Sequence, residues 1–429
     1  MLRSESRILT THAGSLPRRE SLTAMLVKIS RGEEVDRAAM LREIEESTRY
    51  VIEKQLEAGI DVGNNGEQSR ESFFTYVQHR MTGFGGRSER PIMRDLVRYP
   101  SFRKLMAPLF QRSMVDLLHA PKAIGEVEYR DRAGVDLECA DTLRILDDQQ
   151  IKFAEPFMTA PSPGIIASAM LNEYYENYEK YVIAVAKALH TEYEYIVSKG
   201  FVLQVDCPDL AMERHTSYAD RPLTEFLEYV ELNITAMNRA LHGIAPDRVR
   251  MHVCWGNYEA PHDLDVPLAQ ILPILYHANV GALVLEAANP RHQHEYRCFK
   301  EFPLPDHMSL VTGVIDTKTN YVEHHEVVAD RLERAANAIG DPRRVMAGPI
   351  AASRLRPGWV KWPTKSSGRS CARCALAPIS PRIGSFTDAL VSCAKARQGF
   401  SHASRVRRDP RTPSRRLRRP PCPLSAGRR

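Results

Sequence analysis

The sequence predicts an α/β fold, a (β/α)8 or TIM barrel, and three observations carry that prediction. Over residues 1–348, short apolar runs alternate with amphipathic stretches, which is the pattern of a parallel sheet with crossover helices. The apolar runs number eight, and several amphipathic stretches end at a glycine, which often terminates a helix. At 429 residues the chain is long enough for one barrel with insertions.

The predicted strands are, in chain order, Ile8–His12, Ile60–Gly63, Phe157–Thr159, Phe201–Asp206, Val249–Cys254, Ala282–Glu286, Ser309–Ile315 and Val345–Gly348. The clearest predicted helices are Arg37–Ala58, Tyr178–Lys199, Leu223–Leu241 and His324–Ile339. The segment after the second strand is too long for one crossover, so we expect an insertion at about residues 68–150. Within it, GEVEYRDRAGVDLECA at 125–140 alternates at period two around a glycine, which predicts a hairpin. A doubly wound nucleotide-binding fold is the weaker alternative, because the chain has no Gly-rich phosphate loop.

The charge is distributed unevenly along the chain. The net charge is +6, but residues 349–429 alone carry +17 and residues 1–348 carry −11. The basic segment is rich in Pro, Ser and Arg and has no sustained hydrophobic period, so we expect it to be disordered. The whole chain is 43% hydrophobic and 26% charged, with no apolar run long enough to span a membrane and no signal-peptide pattern at its start. We therefore expect a cytoplasmic protein with reduced cysteines and no membrane partner.

Polar residues stand at the carboxyl ends of the predicted strands, where barrel enzymes carry their functional groups. His252 and Cys254 are two residues apart on one strand and therefore point the same way. Glu286 ends the next strand, where a third ligand could converge on the same ion. Imidazole, thiolate and carboxylate are zinc ligands, so this pattern predicts a Zn²⁺ site. The alternative is a half-buried His and Cys without metal.

Four further residues suggest a place for a substrate. Glu67 and Asp206 are carboxylates on different strand ends, suited to an ammonium group or to proton transfer; alternatively they cap a helix and a turn. Gly14 and Ser15 could offer backbone N–H groups to a substrate carboxylate, or begin a helix.

Other polar residues have less defined roles. Asp316 and His12 are candidate catalytic proton donors. The remaining histidines show no metal-ligand spacing and are interpreted as surface or capping residues: His292, His294, His307, His324 and His325.

Six short motifs occur in order: THAGSLPR at 11–18, NGEQSR at 65–70, LQVDCPDL at 203–210, MHVCWGN at 251–257, LEAANPR at 285–291 and GVIDTK at 313–318. Together they resemble the cobalamin-independent methionine synthase family, especially its short single-barrel members, which include epoxyalkane:coenzyme M transferases. The resemblance covers about residues 8–348.

The resemblance implies zinc-dependent transfer of a methyl group to a small-molecule thiol. Zinc would be held by His252, Cys254, Glu286 and one further thiolate, and would deprotonate the substrate thiol. Gly14, Ser15, Glu67 and Asp206 would hold the amino-acid part of homocysteine, with methyltetrahydrofolate as the methyl donor. In the coenzyme M branch the thiol carries a sulfonate, the alkyl donor is an epoxide, and a later cysteine takes the place of Glu286.

The later cysteine of the family belongs to a DCG motif after the eighth strand, and this chain reads PIAASRLRPGW there. A shift of one base in the reading frame permits TDCGFATSAG after Gly348, followed by an amphipathic helix that would close the barrel. We therefore expect a frameshift at about Pro349. The alternatives are a basic tail that binds nucleic acid, which we regard as the weaker reading, and an inactive barrel without its last helix.

Overall fold

Eight parallel strands form the barrel that the sequence predicts. The computed structural model describes residues 1–30, 32–111, 120–258, 260–317 and 323–349, without the side chains of 106–111. The strands of this part are β1 (Leu9–Thr10), β2 (Val62–Gly63), β3 (Phe84–Gly85), β4 (Lys122–Ala123), β5 (Glu155–Pro161), β6 (Val202–Asp206), β7 (Val249–Val253), β8 (Ala282–Glu286), β9 (Ser309–Ile315) and β10 (Val345–Pro349). The expected frameshift product and its disorder lie outside the described residues, apart from Pro349.

The barrel strands are all of these except β3 and β4, which pair with each other in an antiparallel ribbon. Their order is β1-β10-β9-β8-β7-β6-β5-β2, and every pair is parallel. A parallel bridge between Thr11 and Val62 joins the two ends of that order. The sheet therefore closes on itself, and the carboxyl ends of its strands form one barrel mouth.

The described helices are α1 (Glu20–Ser30), α2 (Arg37–Glu57), α3 (Arg94–Arg98), α4 (Pro100–Gln111), α5 (Ala133–Asp147), α6 (Pro163–Ala169), α7 (Tyr178–Ser198), α8 (Asp209–Met212), α9 (Leu223–Ala240), α10 (Leu268–Leu275), α11 (Cys298–Glu301) and α12 (His325–Ile339). The four helices predicted most clearly end within one residue of their predicted ends. Gly340 follows α12 with a φ of +80°, the left-handed conformation that glycine adopts without strain. None of the described helices is long and apolar enough to cross a membrane.

The hairpin predicted at 125–140 is wrong, because helix α5 begins inside that segment at Ala133. The side chains that α5 buries include Val135, Cys139, Thr142 and Leu146, which recur at helical spacing. The two-residue alternation that suggested a strand stops at residue 132. Among the described residues, this segment forms one antiparallel bridge, between Tyr129 and Met81. A period of two over so few residues does not distinguish a strand from an irregular extended segment.

The barrel interior holds polar and charged side chains beneath the mouth. Arg250 on β7 is 1% exposed and lies over the ring of Phe157 on β5, 3.7 Å from its centroid. Its guanidinium donates hydrogen bonds to Thr11 Oγ1 (3.0 Å) and His12 O (2.9 Å). These bonds tie β7 to the end of β1 across the barrel. The apolar core lies between the strands and the surrounding helices, mainly α6, α7, α9 and α10.

Candidate active site

The four residues predicted to bind substrate come together at the barrel mouth. Ser15 Oγ donates a hydrogen bond to Glu67 Oε2. Gly14 packs so tightly that a Cβ there would lie 3.1 Å from Glu67 Oε1. Asp206 joins the group through Gln204, whose Nε2 donates to Asp206 Oδ1 (2.7 Å) and to Ala13 O (2.8 Å). This cluster of residues at the ends of β1, β2 and β6 is called the pocket from here on.

Glu67 has an unusual backbone conformation. Its φ is +56°, a left-handed value that side-chain-bearing residues rarely adopt. Two consecutive turns hold it there, because Asn64 Oδ1 accepts from Gly66 N (2.8 Å) and Asn65 Oδ1 accepts from Glu67 N (3.0 Å). No described helix begins at Glu67, so helix capping does not explain its position. Backbone strain at a buried carboxylate is typical of a functional site.

The Gly14 N–H has a hydrogen-bond partner within the protein. It donates to His12 Nδ1 (3.2 Å), and a role of Gly14 toward a substrate carboxylate stays a prediction. His12 Nε2 is 2.8 Å from Gln55 Oε1, an oxygen that also accepts from Asn64 N. Burial, opposed by the Gln55 hydrogen bond, lowers the pKa of His12 to about 3. Both ring nitrogens of His12 are thus engaged within the protein, and its role as a proton donor stays a prediction.

Asp206 and His252 form a buried pair. They face each other in the register of β6 and β7, and His252 Nδ1 lies 2.9 Å from Asp206 Oδ1. Burial raises the pKa of Asp206 although His252 opposes this effect. Burial lowers the pKa of His252, but the hydrogen bond to Asp206 and the contact with Cys254 outweigh it and raise the value to about 10. The carboxylate on Nδ1 orients the ring and leaves Nε2 as the nitrogen for a ligand.

The predicted metal ligands are tested by this geometry. His252 Nε2 is buried and has no hydrogen-bond partner in the described part of the chain. Cys254 follows β7 directly, and Glu286 ends β8, where the register places it beside Cys254. All three side chains are buried, and their donor atoms suit zinc. However, no group of three metal-ligating side chains lies close enough for an ion within the described ranges. The residues fit zinc by donor type, and the set is incomplete.

Asp316 lies just beyond β9, on the same side of the barrel as the other predicted residues, and is buried. Its N–H donates to Glu323 Oε2 (3.0 Å). Residues 318–322, which belong to the same loop and include the end of the GVIDTK motif, are outside the described part. A catalytic role of Asp316 therefore stays a prediction.

Known proteins resemble this chain in sequence over most of its length. A methionine synthase of Saccharolobus solfataricus is 25% identical over 350 residues, which cover 81% of this chain and 88% of the relative. A 2-hydroxypropyl-CoM lyase of Xanthobacter autotrophicus is 22% identical over 360 residues, covering 76% and 84%. No family model matches the chain.

The solved structures agree on the fold. A B12-independent methionine synthase of Shewanella sp. W3-18-1, in complex with selenomethionine, superposes with a TM-score of 0.64 at 18% identity, over 92% of this chain and 99% of that one. A putative vitamin-B12 independent methionine synthase of Listeria monocytogenes gives 0.58 at 16% identity, over 91% and 98%. The chain fits the cobalamin-independent methionine synthase family. The resemblance inferred from the six motifs is confirmed.

Two pocket residues outside the proposed set emerge from the structure. Gln204 lies two residues before Asp206 on β6, so strand alternation could have placed it in the pocket. Thr159 on β5 donates to Glu67 Oε1 (2.8 Å), and only the packing of β5 against β2 reveals it. Spacing in the sequence therefore indicates Gln204 but not Thr159.

One interpretation of the sequence is corrected by the structure. His292, taken for a surface or capping residue, is 3% exposed and stacks on Trp255, with 4.0 Å between ring centroids. Its nitrogens contact Asp265 Oδ2 (2.9 Å) and Glu295 Oε2 (2.7 Å). His324, by contrast, does cap a helix, because its Nδ1 accepts from Glu326 N at the start of α12. The contact with Asp265, 27 residues away, and the stacking on Trp255 explain the difference.

Proposed function

We propose that this protein is a zinc-dependent enzyme that transfers a methyl group to the thiol of homocysteine or of a close amino-acid analogue. The observation that carries the proposal is the pocket itself. Two buried carboxylates lie at this end of the barrel: Glu67 accepts from Ser15, and Asp206 contacts His252 and is close enough to Glu67 for their charges to interact. An ammonium group complements two carboxylates, and the neighbouring His252–Cys254 pair suits a thiol. The names of the relatives, methionine synthase above all, support the same reaction class.

Each residue has a role in this proposal. Glu67 and Asp206 bind the ammonium group, which places the substrate chain across the barrel mouth. Ser15 and Thr159 hold the Glu67 carboxylate through one oxygen each. Gln204 connects Asp206 to the backbone of Ala13, so that the two sides of the pocket keep their spacing. Binding in a defined orientation reduces the entropic cost of bringing the thiol to the alkyl donor.

His252, Cys254 and Glu286 would hold the zinc ion. A bound zinc ion makes a thiol a thiolate at neutral pH, and the thiolate is the nucleophile that alkyl transfer requires. Asp206 keeps the His252 ring in the orientation that directs Nε2 away from β6. Asp316 is proposed as the group that gives a proton to the leaving group, from the end of β9.

The fourth ligand is proposed to come from the restored reading frame. The shifted frame supplies a cysteine after β10, the strand that lies between β1 and β9. Such a cysteine would reach the mouth from the end of a barrel strand, as the other ligands do. Alternatively the basic segment is genuine; it would then bind nucleic acid through its Arg side chains, or the chain would be an inactive barrel.

A second candidate, alkyl transfer from an epoxide to coenzyme M, is favoured by one relative, the 2-hydroxypropyl-CoM lyase. Its thiol carries a sulfonate. A sulfonate in the place of the ammonium group would face Glu67 and Asp206, and like charges in a buried pocket repel each other strongly. We therefore place this reaction second.

The proposal is tested by zinc content together with methionine formation from homocysteine and methyltetrahydrofolate. Cys254→Ser is expected to lower both at least tenfold, since a thiolate ligand is lost. Cys298→Ser is the matched control, because Cys298 lies on α11 and is partly exposed. Thioether formation from coenzyme M and an epoxide, without methionine formation from homocysteine, would instead support the second candidate. Activity and zinc content that Cys254→Ser leaves unchanged would contradict both.

A further inference from the structure

We propose that Thr159, held in place by Arg70, is a positioning residue that sets the Glu67 carboxylate for an amino group and so makes the protein select thiols that carry one. The inference rests on the proposed function, since it assigns Glu67 to the substrate ammonium group. Neither residue is among the predicted ligands or substrate contacts. Both are buried, with Arg70 only 1% and Thr159 only 2% exposed.

The direction of the hydrogen bonds is the first step. Arg70 Nη1 donates to both Thr159 O (2.9 Å) and Thr159 Oγ1 (3.0 Å). A guanidinium has only donors, so the Thr159 hydroxyl must accept there and has its one proton available elsewhere. That proton points to Glu67 Oε1, 2.8 Å away. The Arg70 contact therefore makes Thr159 a donor toward Glu67.

The rigidity of Arg70 is the second step. Its Nε and Nη2 donate to the Glu138 carboxylate at 2.9 to 3.2 Å, and its guanidinium lies over the Tyr76 ring, 4.4 Å from the centroid. Arg80 also pairs with Glu138, at 2.7 Å. Burial raises the pKa of Glu138, but the ion pairs and hydrogen bonds with Arg70 and Arg80 outweigh this effect and lower the value to about 2. The group that orients Thr159 thus belongs to a buried charge network that resists movement.

The position of Glu67 is the third step. Its two carboxylate oxygens each receive one hydroxyl donor, Thr159 on Oε1 and Ser15 on Oε2. The left-handed backbone at Glu67 alone does not determine where its side chain points. Removing the Thr159 hydroxyl frees Oε1 to rotate away from the pocket. This rotation weakens the binding of an ammonium group to Glu67. It does not affect the binding of a thiol that has no amino group.

The test compares binding of two thiols by titration calorimetry: L-homocysteine and 4-mercaptobutyrate, which has the same chain, thiol and carboxylate but no amino group. For the unmodified protein we expect the lower Kd for homocysteine. Thr159→Val should raise the Kd of homocysteine by about tenfold, the effect of one lost buried hydrogen bond, and should change that of 4-mercaptobutyrate less than about twofold. Thr159→Ser keeps the hydroxyl and should restore selectivity.

Thermal unfolding of each variant shows whether it is folded. A general structural effect of the substitution would weaken the binding of both thiols alike. Equal Kd values for the two thiols in the unmodified protein, or equal losses for both in Thr159→Val, would overturn the inference. The readout is binding and not turnover. A protein that selects homocysteine in this test but forms no methionine would contradict the proposed function and leave the role of Thr159 supported.

Discussion

Gly14 has no room for a side chain in the pocket. A Cβ there would lie 2.6 Å from Thr159 Cγ2 and 3.1 Å from Glu67 Oε1, and its φ of +121° is unfavourable for any residue with a side chain. We expect Gly14→Ala to push both neighbours apart and raise the KM for homocysteine at least tenfold, with a smaller change in kcat. Steady-state kinetics measure this. Gly32→Ala is the control for a positive-φ glycine, since no atom of the described residues lies within 4 Å of the added Cβ. Equal kinetic effects in the two variants would contradict the assignment.

Asp209 predicts a pH dependence of stability. It is buried at the start of α8, where Oδ1 accepts from Ser162 Oγ (2.6 Å), and burial raises its pKa to about 7. The folded state then holds a proton that the unfolded state has released above pH about 4. Stability from this group is therefore complete below about pH 4 and decreases as the pH rises to about 7.

Asp209→Asn should remove the decrease in stability that this carboxylate causes between about pH 4 and pH 7. At pH 8 the variant should have a free energy of unfolding about 1–3 kcal/mol higher than that of the unmodified protein. Denaturant unfolding at pH 5 and pH 8 measures the effect. Asp220→Asn serves as the control, because Asp220 is exposed and pairs with Arg94 at the surface. A variant with the same pH slope as the unmodified protein would refute the assignment.

The positions of single residues could be predicted from the sequence where they follow from strand alternation and from where a strand ends. Sequence reasoning placed Ser15, Glu67, Asp206 and His252 at strand ends of one mouth, where hydrogen bonds join Ser15 to Glu67 and Asp206 to His252. It missed what depends on contacts between distant segments. The state of His12, for instance, is set by Gln55, which lies 43 residues away.

At the scale of elements, the segment between β7 and α10 carries the candidate ligand Cys254 at its start. Two buried carboxylates hold it: Asp265, and Asp95, which accepts from His262 N (3.0 Å) and from the Tyr258 hydroxyl (2.9 Å). Asp265 lies 2.9 Å from His215 Nδ1, 3.0 Å from His262 Nδ1 and 2.9 Å from His292 Nε2. His262 also has a left-handed backbone, with φ +52°. Trp255, next to Cys254, stacks on His292 and donates from Nε1 to Val266 O (2.7 Å). The segment therefore depends on Asp265 for its conformation.

We expect Asp265→Ala to lower the free energy of unfolding by about 3–5 kcal/mol, since three buried imidazoles lose their partner. Hydrogen exchange of residues 255–267 should accelerate more than that of α7. Asp263→Ala, two residues earlier and partly exposed, is the matched control. Loss of stability without faster exchange in this segment would contradict the assigned role.

The segment 125–140, where the sequence wrongly predicted a hairpin, also depends on contacts with distant segments. GEVEYRDRAGVDLECA combines a two-residue alternation with the start of a helical period, and the helix α5 forms because its buried face packs against α2 and α7. The real antiparallel ribbon, β3 with β4, has only two residues per strand. Elements that short leave no periodic signal in a sequence.

At the scale of the whole molecule, the barrel closes through short strands. β1 and β2 have two residues each, and one bridge, Thr11 to Val62, joins them within the described chain. Side chains reinforce this seam: Asp61 pairs with Arg7, and its Oδ2 accepts from Thr10 N (2.9 Å). The number and order of the strands could be predicted from the sequence. The means by which the first two strands close the barrel could not, since it depends on side-chain pairs.

The reading frame after β10 is also a property of the whole molecule. We expect the DNA encoding residues 340–360 to lack one base relative to the frame that yields the DCG motif. A protein made from the restored frame should bind one zinc ion per chain, and this chain should bind less under the same conditions, since a thiolate ligand is missing. Metal analysis after dialysis measures both. Full zinc occupancy in this chain would refute the frameshift hypothesis.

The central claim is that the pocket selects an amino-acid thiol for alkylation. It is tested most directly in one reaction mixture that contains the protein, zinc, homocysteine, coenzyme M, methyltetrahydrofolate and a small epoxide, with the thioether products identified by mass spectrometry. The account predicts methionine as the main product, and a loss of methionine in Asp206→Asn. Alkylated coenzyme M as the main product, or methionine formed equally well by Asp206→Asn, would contradict it.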